Sequence, residues 1–201
     1  MARTPRFDRQ IALDHAVALF WEKGYHATSM KQIEQALDMR PGSIYATFGS
    51  KDGLFAEALA RYAERGGKEL ADHLAGYDAI IDGLQDYLRN IAAACAPGAT
   101  VPSRACMVVK TLLETSHTDG PLGDQVNGIL AAIETRLAEV LTTAKARGEL
   151  KPDTDCPRLA RLLQAQIIGL RSFAQRDVTA AHVRQLGEDM ALLLEPYRLH
   201  H

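Results

Sequence analysis

The chain has 201 residues, 47% hydrophobic and 24% charged, an ordinary balance for a globular protein with a real core in one or two domains. No apolar run approaches the ~20 residues of a membrane-spanning helix, and the basic N-terminus is not followed by the apolar stretch of a signal peptide, so a cytoplasmic location away from membranes is expected. A formal net charge of −2 excludes bulk positive charge as the source of any nucleic-acid affinity, and three cysteines without a CxxC pair provide neither a disulfide framework nor a zinc site.

Charge is spread unevenly. Residues 1–52 carry 7 Lys/Arg against 6 Asp/Glu, the remainder 16 against 19, so affinity for an anionic polymer would have to come from a few placed cations and helix N-termini. Arg3, Arg6 and Arg9 form an arm that could reach phosphates or a minor groove. A first helix is expected from about Phe7 to Lys23, with Leu13, Ala16, Val17 and Phe20 inward, Gly24 as its stop, and Trp21 and Tyr25 closing a small core.

Between Thr28 and Lys51 the pattern is helix, turn, helix. Ser29 and Gln32 make a capping box, Ile33, Ala36 and Leu37 form one apolar face, and Asp38-Met39-Arg40 is long enough only for a tight turn. Pro41 suits the first position of a second helix, whose anchors Ile44 and Phe48 leave Gly42 and the hydroxyls of Ser43, Tyr45 and Thr47 outward. Such a face lets a backbone approach DNA and bond phosphates or base edges. Ser50 caps the next helix, and Lys51 beside that N-terminus adds charge to free N–H groups, a phosphate site.

These residues resemble the DNA-binding end of the TetR family of bacterial transcriptional regulators. The likeness runs from Leu13, Ala16, Leu19-Phe20, Gly24-Tyr25 and Ala27-Thr28-Ser29 through Ile33 to Ser43-Ile44-Tyr45, Phe48, Ser50-Lys51 and Leu54. The resemblance implies an all-α fold: an N-terminal three-helix helix-turn-helix domain over residues 1–52 and a helical effector-binding and dimerisation domain over 53–201. Lys31, Arg40, Gly42 and Ser43 are the candidates for base-edge contacts. By position in the family pattern, Thr28, Tyr45, Thr47 and Lys51 face phosphates. Gly42 departs from the basic or hydroxyl residue that many relatives carry beside the turn, so Arg40 is expected to compensate.

Further along, the helix after Ser50 should run to Leu74 with a soft point at Gly66-Gly67. Amphipathic helices are expected over about Ala79–Cys95, Ser103–Ser116 and from Asp124 to about Arg147, the last with Val126, Leu130, Ile133, Leu137, Val140 and Ala144 inward. By resemblance an effector pocket lies among these middle helices. Its candidates, polar or reactive groups interrupting apolar helices, are Tyr62, Tyr87, Cys106, Met107, Lys110, Glu114 and His117. Cys106 follows Arg104 near a helix start, where a cation and the helix dipole favour a thiolate. An alternative to reversible effector binding is therefore a regulator that senses oxidants or electrophiles through Cys106, and another is a small-molecule-binding helical protein without a DNA role.

After Pro152 and Pro157 come two helices with apolar faces broader than one neighbour requires, the last expected over about Thr179–Tyr197. Leu162, Ile168, Phe173, Val183, Leu186, Met190 and Leu194 are the candidates for a two-fold interface, which the resemblance places as a four-helix bundle. The seven histidines show no metal-ligand spacing, and no P-loop, dinucleotide fingerprint or nucleophile elbow occurs. A non-enzymatic homodimer without a cofactor, whose partners are operator DNA, a small effector and itself, is the expectation.

Overall fold

A computed structural model describes residues 8–99, 106–115 and 120–199. It is helical throughout: α1 (Arg9–Lys23), α2 (Met30–Leu37), α3 (Pro41–Phe48), α4 (Lys51–Leu74), α5 (Ile80–Cys95), α6 (Met107–Thr115), α7 (Pro121–Ala146), α8 (Cys156–Phe173) and α9 (Ala180–Leu192), then a short 3-10 turn at Glu195–Tyr197. The expected arm residues Arg3 and Arg6, and His117, lie outside the described residues. None of the described helices is long and apolar enough to cross a membrane.

Two hydrophobic clusters organise the chain. In the first, Leu13, Ala16, Val17 and Phe20 of α1 meet Ile33 and Leu37 of α2, Ile44 and Phe48 of α3, and Leu54, Phe55, Ala58 and Leu59 of α4. Met107 and Val108 of α6 and Val126 of α7 complete it, so residues on both sides of position 52 share one core. Phe20 and Phe55 meet edge to face with centroids 4.8 Å apart, a favoured aromatic geometry. The second cluster joins α5, the latter part of α7, α8 and α9 through Ile81, Leu84, Leu88, Leu137, Leu141, Leu159, Leu163, Val183 and Leu194. Buried Gln85 pins α9 to α5 by donating to the Ala191 carbonyl at 3.1 Å.

Helix α4 reaches Leu74 as expected and is continuous through Gly66 and Gly67. The absent side chain of Gly67 makes room for α7: a Cβ there would lie 2.6 Å from Arg136 Nη1. Two sequence expectations need correction here, both in the expected last helix. The last helix ends at Leu192, short of Tyr197, because Pro196 has no N–H to continue the ladder and the chain tightens into the 3-10 turn. Finally, Val183, Met190 and Leu194 are buried within the chain's own second cluster, Val183 at 0% exposure, so they are not free to meet a second copy. Leu162 remains exposed at 36%, with Ile168, Phe173 and Leu186 half-buried.

Gly53 has a different reason for being glycine. A Cβ at this position would overlap the Phe48 carbonyl oxygen, where the end of α3 lies against the first turn of α4. Gly53→Ala is therefore expected to destabilise the fold by about 1–3 kcal/mol, the usual cost of forced overpacking, read as a lowered midpoint in urea unfolding.

Candidate functional site

The helix-turn-helix forms for local reasons. Ser29 Oγ accepts from the Gln32 N–H at 3.3 Å while the Gln32 side chain accepts from the Ser29 N–H at 2.8 Å, closing the capping box. Asp38, left-handed at φ 50°, ends α2 by donating its N–H to the Glu34 carbonyl. Pro41 then opens α3, and burial of Ile44 and Phe48 fixes which side of that helix faces outward.

Gly42, Ser43, Tyr45 and Ala46 form the exposed face of α3, with Arg40 exposed at its N-cap and Lys31 exposed on α2. Neither Lys31 nor Arg40 joins an ion pair among the described residues. Ala46 was missed from sequence, although it lies four residues after Gly42 on the same face; its methyl suits apolar contact with a thymine methyl. Tyr45 is 49% exposed, and its hydroxyl is available beyond the helix surface.

Thr28 behaves differently from the phosphate contact expected of it. It is 1% exposed, and its hydroxyl donates to the Gly24 carbonyl at 2.6 Å, so it braces the link between α1 and α2. Thr47 likewise spends its hydroxyl proton on the Ser43 carbonyl at 2.8 Å, leaving only lone pairs outward, which phosphate does not seek. Lys51 stands with Nζ 4.3 Å from the centroid of the Tyr25 ring, a cation–π contact that aims the charge without neutralising it.

That ring is itself held by a hydrogen bond from Tyr25 to Asp52. Hydrogen bonding to the Asp52 carboxylate, then partial burial and the carboxylate's charge, push the Tyr25 hydroxyl up to about 12. A raised pKa contributes stability that is fully present below the ordinary tyrosine value near 10 and is lost as pH rises through about 12. Tyrosinate absorbance of the wild type against Tyr25→Phe is expected to show one late-titrating hydroxyl missing from the variant. A Tyr25 hydroxyl that ionises near 10 would contradict the Asp52 bond.

Within the first cluster, α6 and the start of α7 reach back to the N-terminal helices. Lys110 Nζ donates to the Trp21 carbonyl at 3.2 Å, Gln125 to the Ala56 carbonyl at 2.8 Å, and a Cβ on Gly24 would lie 2.7 Å from Glu114 Oε1. Lys110, Glu114 and buried Met107, expected as effector contacts, therefore face the N-terminal bundle. Tyr62, Tyr87 and Cys106 do converge, around a residue that sequence reading missed: Arg171 of α8. Its Nη1 donates to the Tyr62 hydroxyl at 3.2 Å, and that hydroxyl donates to Cys106 Sγ at 3.8 Å. Burial, then the nearby thiol, drive the Tyr62 hydroxyl well above its usual range. Burial also raises Tyr87. No signal along the chain could have joined Arg171 to a residue 109 positions away.

A helix-turn-helix bundle seated on a larger helical body defines a class of DNA-binding regulators. The family model for bacterial regulatory proteins of the tetR family matches residues 12–58, and that for the tetracyclin repressor-like C-terminal domain matches residues 82–187. The chain belongs to the tetR family and is a DNA-binding transcriptional regulator. It is 31% identical to the HTH-type transcriptional repressor ComR of Escherichia coli over 90% of this chain and 85% of that one. Among solved structures, a cysteine mutant of the TetR family regulator CifR complexed with 26-base-pair double-strand operator DNA superposes with a TM-score of 0.79. It is 31% identical and covers 94% of this chain and 98% of its own. A tetR-family regulator from Cytophaga hutchinsonii, 18% identical, matches over 100% of both chains with a TM-score of 0.84 and bears on the fold alone.

Proposed function

We propose that the chain acts in the cytoplasm as a homodimeric repressor that holds a pseudopalindromic operator until a small effector enters the body of the molecule. The observation that carries this is the exposed face of α3, small and polar along Gly42, Ser43, Tyr45 and Ala46, with the exposed cations Arg40 and Lys31, which join no ion pair among the described residues, at its edge. Base-edge contact falls to Arg40, Gly42, Ser43, Ala46 and Lys31, and phosphate contact to Tyr45 and Lys51; Thr28 and Thr47 support the backbone that presents them. The first cluster serves DNA binding, and the second serves dimerisation through the outer faces of α8 and α9. Two copies of α3 must then meet successive major grooves, about 34–36 Å apart in B-DNA.

A gel-shift titration against the DNA upstream of its own gene tests the proposal. A protected site with two-fold symmetry supports it, and binding no tighter than to random DNA at the same salt overturns it. A second reading concerns the trigger. Cys106, half-buried and touched by the Tyr62 hydroxyl, is placed for thiol modification to disturb the Tyr62–Arg171 contact. Complete alkylation of Cys106 without change in operator affinity would exclude this route.

A further inference from the structure

Arg171 lies where the two clusters meet. Tyr62 and Cys106 pack against the first cluster; Tyr87 packs against the second, and the neighbouring Leu170 is buried within it. Arg171 is half-buried with its Nε fully buried, and a guanidinium drawn from water in this way normally demands a carboxylate, because an unpaired buried charge is costly. Among the described residues no carboxylate pairs with Arg171. Its partner is the neutral Tyr62 hydroxyl, and Nε is shut off from solvent without a hydrogen-bond partner among the described residues. The Tyr87 hydroxyl also donates to no described residue, and Glu69 of α4, whose charge acts on Tyr87, is taken up by Arg65 at 2.9 Å.

We propose that Arg171, with the hydroxyls of Tyr62 and Tyr87, forms a binding site for a small organic monoanion, a carboxylate on an apolar or aromatic body. The Nε and Nη edge of a guanidinium matches the two oxygens of a carboxylate, and one negative charge neutralises that of Arg171. A dianion such as phosphate would leave an uncompensated charge among tyrosines, thiols and aliphatic side chains. Because the site touches both clusters, its occupancy bears on the bundle through Tyr62, whose ring lies 5.6 Å from that of Trp21 in α1. This last consequence rests on the effector reading above; the binding itself does not.

Trp21 is the single tryptophan and sits beside the site, so its fluorescence reports on it. The test titrates the full chain with benzoate and hexanoate, with benzamide as the uncharged match and inorganic phosphate as the dianion. Saturable quenching or enhancement by a carboxylate, absent with benzamide, is expected, and Arg171→Gln should weaken it at least about tenfold, the loss of a charge-assisted pair of hydrogen bonds. Tyr87→Phe, which removes only one hydroxyl, should weaken it a few-fold in a chain whose circular dichroism is unchanged. Arg171→Met should also raise the melting temperature without ligand, whereas a merely structural arginine would lower it on removal. No saturable response to either carboxylate, an equal response to benzamide, stronger binding of phosphate, or unchanged affinity in Arg171→Gln would overturn the site. Operator binding is measured separately: carboxylate binding that leaves operator affinity unchanged refutes the effector role and leaves the anion site standing.

Discussion

Leu162→Glu on α8 is expected to convert the proposed dimer to a monomer and to reduce operator affinity by a factor on the order of 10²–10³, the gain lost when two linked half-site contacts become one. Leu162 is exposed and makes no part of the chain's own buried core, so the variant should keep the helical content and melting behaviour of the wild type. Val183→Ala provides the contrast. Both residues belong to the broad apolar faces of the last two helices, yet Val183 is buried between α5 and α9. Its truncation should cost about 2 kcal/mol in fold stability from lost burial and a residual cavity while leaving the dimer intact. Light scattering and urea unfolding on the pair separate the two roles, and a Leu162→Glu protein that remains dimeric would place the interface elsewhere.

The second large effect concerns the cations of the bundle. Lys51→Ala is expected to weaken binding to operator and random DNA alike. It should also reduce the slope of log K against log salt by about one per subunit, since one phosphate contact and its released counterion disappear. Arg40→Ala, at the N-cap of α3, should cost about 1–3 kcal/mol on the operator and little on random DNA, relaxing preference at one base pair in each half-site. Equal losses on both DNAs for the two variants would remove the distinction between reading and anchoring. The small positive balance of residues 1–52 makes each of these losses large relative to the whole.

How much could be read beforehand follows the range of the interactions. The capping box at Ser29 and Gln32, Pro41 at the start of α3, and the Ile44–Phe48 anchor are contacts within four residues, and each formed as the spacing predicts. Hydroxyls were harder. Thr28 and Thr47 look like phosphate donors in a list of polar residues, but both turn back to a carbonyl four residues earlier, a local bond that competes with any partner outside.

The sequence by itself determined the helices, the turn between α2 and α3, the outward face of α3 and the family, because capping, proline placement and periodicity act along the chain. Only the tertiary structure decided which half of each broad apolar face is core. It alone set Arg136 over Gly67, joined Met107, Val108 and Val126 to the N-terminal cluster, and brought Arg171 to Tyr62 and Cys106. Burial and charge pairing depend on which surfaces meet, and surfaces a hundred residues apart meet only after the chain has folded.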